Sequence, residues 1–199
     1  MEASCYALRG VRNMRFAIVF LAALFSMAAE AQSDIWKQVN PLYNGPRLQS
    51  VTPGDAQLRA IGKLLRQLGK SDMWGCEGND LDDMIRGLIF EEIPLAQGQR
   101  VFLVEAGAGC ARGGQGANGA MWLIRFDGEK PVLLASPDND FNGWLYSIQP
   151  TVSHGYHDLV LGWHLGADNY NLSYFRFDGK AYVAIGRAND SLGEITPDK

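Results

Sequence analysis

The chain has 199 residues, carries 18 Lys and Arg against 22 Asp and Glu, and has a formal charge of -4. A mildly acidic balance offers no electrostatic footprint for nucleic acid or anionic lipid, so neither is an expected partner. This length is one domain's worth of chain and buries about two thirds of its unfolded surface.

Arg9, Arg12 and Arg15 lead into an apolar run from Phe16 to Ala29 that closes on Ala29-Glu30-Ala31. A basic lead, an apolar stretch and an A-x-A site are the three parts of a secretory signal peptide. Residues 1–31 are therefore expected to be removed, leaving a mature chain that begins at Gln32 in the periplasm or the medium. The apolar run is about 14 residues, short of the roughly 20 that cross a hydrocarbon core, so no stable membrane anchor is expected. Met14 directly before Arg15 offers an alternative start to Met1. Loss of three arginines and two glutamates with the leader moves the charge from -4 to -5. Cys5 leaves as well, and the remaining pair, Cys76 and Cys110, is expected to bridge in an oxidising compartment. Closing that loop is worth roughly 4 kcal/mol in the chain-entropy model.

Residues 32–50 mix Pro41, Asn44, Gly45 and Pro46 with isolated aromatics and show no period, which reads as an extended arm. Residues 51–199 are expected to form a single α+β domain. A helix opens at Thr52-Pro53-Gly54-Asp55, with Thr52 as N-cap, Pro53 in the first helical position and Asp55 completing a capping pair. Leu58, Ile61, Leu65 and Leu68 form its apolar stripe, and Gly69 stops it. A shorter helix is expected around Asp80 to Arg86. Beyond residue 87 the period changes to short β-rich runs broken by Gly, Asn, Asp and Pro. The expected strands are Leu88–Ile93, Arg100–Glu105, Ala120–Phe126, Pro131–Ala135, Trp144–Gln149, His157–Trp163, Asn171–Phe177 and Ala181–Ile185. Asp127-Gly128 and Asp178-Gly179 sit between apolar runs and predict tight hairpins. The two RFDG turns also suggest an internal repeat of about 51 residues. The expected fold is an N-terminal amphipathic helix packed on an antiparallel meander of about six to eight strands.

Gly114-Gln115-Gly116-Ala117-Asn118-Gly119 matches G-x-G-x-x-G by letter, but the strand-like Met121–Phe126 follows it where the pyrophosphate-binding mechanism needs a helix. A glycine-rich loop held at one end by Cys110 is the reading preferred here. Asp138, Asp140 and Asn142 reproduce the opening D-x-D-x-N-G of a calcium loop, whose twelfth position is Gln149 in place of a bidentate Glu. A polar turn using Asp and Asn is the other reading. His154, His157 and His164 lie near Asp158 and Asp168, which could begin a metal or acid-base site. Strand alternation places His157 and His164 on opposite faces. Ser136, Ser147, Ser153 and Ser173 lack a nucleophile elbow, and Glu91-Glu92 point to opposite faces of their strand. The tract from Trp163 to Tyr174, centred on Gly166-Ala167-Asp168-Asn169, is the expected recognition loop. Tyr156 and Tyr170 join His154, His157, Asp158, Trp163 and Asp168 as candidate binding residues.

Gly155-Tyr156-His157-Asp158-Leu159-Val160-Leu161, followed by Tyr174-Phe175-Arg176-Phe177-Asp178-Gly179-Lys180-Ala181-Tyr182, resembles a loosely defined group of bacterial exported proteins. Those proteins carry a GYxDLV segment and then a YRFDGxxY hairpin; here Phe175 interrupts the YR pair. The same region, roughly Trp122 to Ile185, is distantly similar to the FG-GAP and VCBS repeats of β-propellers, although no D-x-D-x-D-G turn directly precedes Asp158. The resemblance implies an exported β-rich domain and brings no catalytic residues. The expected function is an exported, soluble binding protein of the cell envelope, whose partner is an envelope protein that it inhibits or protects against, or an envelope glycan. The alternative is an envelope hydrolase with a metal or acid-base site around His154, His157 and Asp158.

Overall fold

The structure is a computed structural model that describes residues 34–40, 51–69, 73, 75–107, 109–112 and 118–198. The expected signal peptide lies outside the described residues, as do residues 41–50 of the arm. Within the arm, residues 34–36 are helical and Lys37 pairs with Asp34 at 2.6 Å. Of the described residues, 34–38 belong to one compact unit and those from 39 to 198 to another.

Helix α1 spans Asp55–Leu65, and α2 spans Gly78–Arg86. The cap of α1 is Gly54, two residues later than the expected Thr52. Gln57 explains the shift, since its Oε1 accepts the Gly54 N–H at 3.2 Å and so satisfies one of the free donors of the first turn. The helix then tightens through Gln67 N–H to Leu64 and Leu68 N–H to Leu65 before it reaches Gly69.

Among the described residues ten strands make two five-stranded antiparallel sheets. The first holds β1 (Leu88–Ile93), β2 (Val101–Ala106), β3 (Gly119–Asp127) and β4 (Lys130–Ala135) in that order, with the two-residue β5 (Asn142–Gly143) beside the start of β3. The second is a meander of β6 (Leu145–Ser153), β7 (Tyr156–Gly166), β8 (Asn169–Phe177), β9 (Tyr182–Ser191) and β10 (Glu194–Pro197). All eight expected strands are present, and β5 and β10 are additional. The expected single meander is thus divided into two packed sheets, a common outcome when a twisted sheet would otherwise grow long.

The first sheet is the middle layer and is apolar on both faces. Phe102, Val104, Ala120, Trp122 and Ile124 pack with Ile61 and Leu65 of α1 and Met84 of α2. The alternating residues Val101, Leu103, Met121 and Leu123 pack with Leu159, Leu161, Phe175 and Phe177 of the second sheet. Strands buried on both sides read as continuous apolar runs, as Ala120–Ile124 does. The expected Leu58, Ile61, Leu65, Leu68 stripe is the face that covers this sheet.

The sheets are stitched together at two places. His157 N–H donates to the Leu95 carbonyl at 2.8 Å beside an Ala96–Tyr156 bridge. Farther along β7, Trp144 N–H donates to the Gly162 carbonyl at 2.9 Å. Gly143 is required there, because a Cβ on it would lie 2.9 Å from that carbonyl oxygen. The RFDG turns close one hairpin in each sheet. In the first, Asp127 pairs with Lys130, so the turn residues are Gly128-Glu129, one step past the expected Asp-Gly. Arg125 holds the Asp127 carboxylate at 2.9 Å, which keeps Asp127 on the strand. In the second, Phe177 pairs with Tyr182, and Asp178 Oδ1 accepts the N–H groups of Lys180 and Ala181, both at 2.8 Å.

Candidate functional site

The second sheet extends beyond the core it shares with the first, and the change is visible in its side chains. Leu159 and Leu161 on β7 face the core; two residues farther on, the same face presents Trp163. On β8, Phe177 and Phe175 are followed on that face by Ser173 and Asn171, which pair with Leu161 and Trp163. Their partners on β9 are Arg187 and Asn189. Period-two alternation thus carries one sheet face from apolar to polar as its covering layer ends.

A cleft of about 440 Å³ lies on this face, where the layer formed by the described residues ends. Asp140 and Asn142 line it from the link between the sheets, and Asp198 does so from beyond β10. Pro137–Asn139 forms a 3-10 turn, Asp140 is left-handed with φ 61°, and β5 begins at Asn142, so the expected calcium loop is a turn followed by a strand. Arg187 pairs with the Asp140 carboxylate across the cleft. Asn189 Nδ2 donates to Asp198 at 3.0 Å, and Asp198 N–H donates to the Arg187 carbonyl at 3.0 Å. The structure therefore separates the expected cation ligands: Asp140 and Asn142 line the cleft, Asp138 does not, and Asp140 is engaged by a cation of the chain itself. Among the described residues no group of three or more His, Cys, Asp and Glu is arranged to hold a metal ion.

On the opposite face of β7, His164 packs at a tilt between Trp144, 5.0 Å away between ring centroids, and Tyr170, 5.4 Å away. The Tyr170 phenol is raised above its ordinary pKa by partial burial and then by Asp168 and Asp190. Strand β6 has already left this part of β7. The Asn118 side chain takes its place, donating to the His164 carbonyl and accepting its N–H, both at 2.8 Å. This amide supplies the two bonds of a missing strand neighbour, so the His164 backbone is satisfied just before the register shift at Leu165.

The remaining candidate residues are placed apart from the cleft. His154 sits at the β6–β7 turn with φ 51°, its Nδ1 3.1 Å from the Phe177 carbonyl. His157 Nδ1 is 2.8 Å from the Gln149 carbonyl. Asp158 is fully buried; its Oδ2 accepts Thr151 at 2.9 Å, Tyr174 at 3.3 Å and Arg176 at 3.0 Å. Pro150 allows this arrangement, because it falls in the irregular stretch of edge strand β6 that brings Thr151 to the carboxylate. Tyr156 is a core residue whose hydroxyl receives a bond from Arg125 at 2.9 Å. Asp168 is the left-handed residue of the β7–β8 turn, its carbonyl accepting the Leu192 N–H at 3.0 Å. The expected recognition tract thus splits in function: Trp163 and Asn171–Ser173 reach the cleft, while Asp168 shapes the turn.

Cys76 and Cys110 are bonded, with Cα atoms 5.6 Å apart, tying the entry to α2 to the segment after β2. Among the described residues no helix is long and apolar enough to cross a membrane. Comparison with protein-family models, curated proteins and solved structures finds no match for this chain.

Proposed function

We propose that the protein is an exported binding protein of the bacterial cell envelope, periplasmic or secreted, that holds its ligand in the cleft at the free end of the second sheet. The leader pattern supports export, and the Cys76–Cys110 bond is compatible with an oxidising compartment. The cleft carries the functional part of the reading. It offers an aromatic side chain, amides, a hydroxyl and an internally neutralised ion pair on a rigid sheet, which is the mix of apolar surface and few directed polar groups that ligand sites use. The acid-base reading receives no such support, because His154, His157 and Asp158 are turned to different partners and line no part of the cleft.

The test is retention of envelope components on the immobilised full chain and on its Trp163→Ala variant, with protein and glycan fractions of the envelope applied separately. Retention that falls in the variant supports the cleft as the site. Equal retention by both forms, or conversion of a retained component into product, removes the proposal.

A further inference from the structure

Building on that reading, the geometry points to a more specific ligand: we infer that the cleft takes an uncharged saccharide, with one sugar ring laid against Trp163. The lining decides between chemical classes. Among the described lining residues Asp140 and Arg187 cancel one another and Asp198 adds a negative charge, so a phosphate, a uronate or a nucleotide meets repulsion with no unpaired cation among them to receive it. A peptide has little purchase through its main chain: β8 is paired on both sides where it lines the cleft, β9 is met by β10 and the Asp198 N–H, and the Asn118 side chain already holds the His164 backbone at the open end of β7. A greasy side chain has no pocket either: Leu161, Leu172 and Ala188 are at most 2% exposed, so the surface that a ligand meets is polar around one indole.

A pyranose fits what is left. Its ring presents an apolar C–H face to an aromatic side chain and a rim of hydroxyls, each both donor and acceptor, to groups that can do either. The side-chain amides of Asn142 and Asn171 and the Ser173 hydroxyl have no hydrogen-bond partner among the described residues, and all three line the cleft with Trp163. Amides offer a donor and an acceptor side by side, the pattern that vicinal hydroxyls match. Asn171 and Ser173 sit on β8, which is paired on both sides, and Asn142 sits on β5, which pairs with β3, so their backbones are fixed before the ligand arrives, which reduces the entropy cost of binding.

The experiment is a titration of the full chain, followed by tryptophan fluorescence and by calorimetry, with neutral oligosaccharides (cellotetraose, maltotetraose, chitotetraose and neutral fragments of bacterial capsule) and with tetragalacturonate as the charged counterpart. At least one neutral sugar is expected to bind, with affinity about tenfold weaker in Trp163→Ala and partly restored in Trp163→Phe, the weight of one stacked aromatic face. Asn171→Ala should weaken the same sugar while leaving thermal stability unchanged, since Asn171 is exposed. Preference for tetragalacturonate, or binding that Trp163→Ala does not change, overturns the saccharide assignment. If no sugar binds but an envelope protein or peptide is retained in a Trp163-dependent way, the saccharide assignment fails and the binding-protein reading stands. If neither is retained, both fall.

Discussion

Breaking the Cys76–Cys110 bond should lower the melting temperature by about 8–15 °C. The bond closes a segment with a sequence separation of 34. In the chain-entropy model a loop of that size restricts the unfolded ensemble by about 12.6 cal/mol/K, or close to 3.8 kcal/mol at 25 °C. For a domain of this size each kcal/mol moves the midpoint by roughly 2–4 °C. Native-state contacts change little, because Cys76 is packed in the helix-facing core and alanine at that site keeps an apolar side chain there. Two independent perturbations separate the cross-link from the side chains: the Cys76→Ala/Cys110→Ala variant, and the unmodified protein under reductant, which reaches Cys110 because that residue is exposed. Both should melt at the same temperature, well below the oxidised protein, and thiol titration of the unfolded, unreduced protein should find neither of these sulfurs. Oxidised and reduced protein melting within about 2 °C of one another would sink the entropic argument.

Further perturbations probe the packing and the charges. Gly107→Ala places a Cβ 2.2 Å from the Gly87 carbonyl oxygen, where β1 and β2 come together, and should cost about 3 kcal/mol in chemical unfolding. Gly166→Ala meets open space and should stay within about 0.5 kcal/mol. Arg176→Met strands the buried Asp158 carboxylate and should cost about 3 kcal/mol, whereas Arg187→Met frees the exposed Asp140 and should cost under about 1 kcal/mol; equal effects would refute the distinction between these pairs. Main-chain N–H groups of Ala181 and Lys180 hold the Asp178 carboxyl below its ordinary pKa. Its stabilising effect is therefore present above the ordinary carboxylate range and lost as the pH falls through the lower folded value. Asp178→Asn should lose that part of the acid dependence, and an unchanged stability-against-pH profile would contradict it.

Periodicity made α1 and most strands legible. Leu58, Ile61, Leu65 and Leu68 recur at helical spacing whatever they pack on, and Leu88–Ile93 is bounded by Gly87 and Pro94. The division into two sheets was not legible. It depends on the short link from Ser136 to Trp144, whose Asp and Asn residues serve a 3-10 turn, a left-handed residue and a cation loop equally well in sequence. The close approach of Gly143 to Gly162 and the pairing of β5 with β3 show that this link passes from one sheet to the other. The cleft was half legible: Trp163 and Asn171 fall in the expected tract, but Arg187, Asn189 and Asp198 lie past the expected end of the last strand at Ile185. Gly186, a residue that weakens a strand, hid the continuation of β9 to Ser191.

The cleft follows from unequal strand lengths. Strands β7, β8 and β9 have 11, 9 and 10 residues, against six in each of β1, β2 and β4 and nine in β3. A mean excess of about three residues is roughly 10 Å of sheet that no layer of the described residues covers. An overhang that needed only to stay soluble would be blunted by charges or proline, as unpaired edges are. Here the paired strands instead present Trp163, Asn171, Ser173 and Asn189, and Arg187, the one cation among the described lining residues, is already paired with Asp140. Short uncharged polar groups around an indole do little for solubility that lysines would not do better. Their presence on paired strands is therefore better explained by a ligand that reads amides and an aromatic face than by protection of an exposed surface.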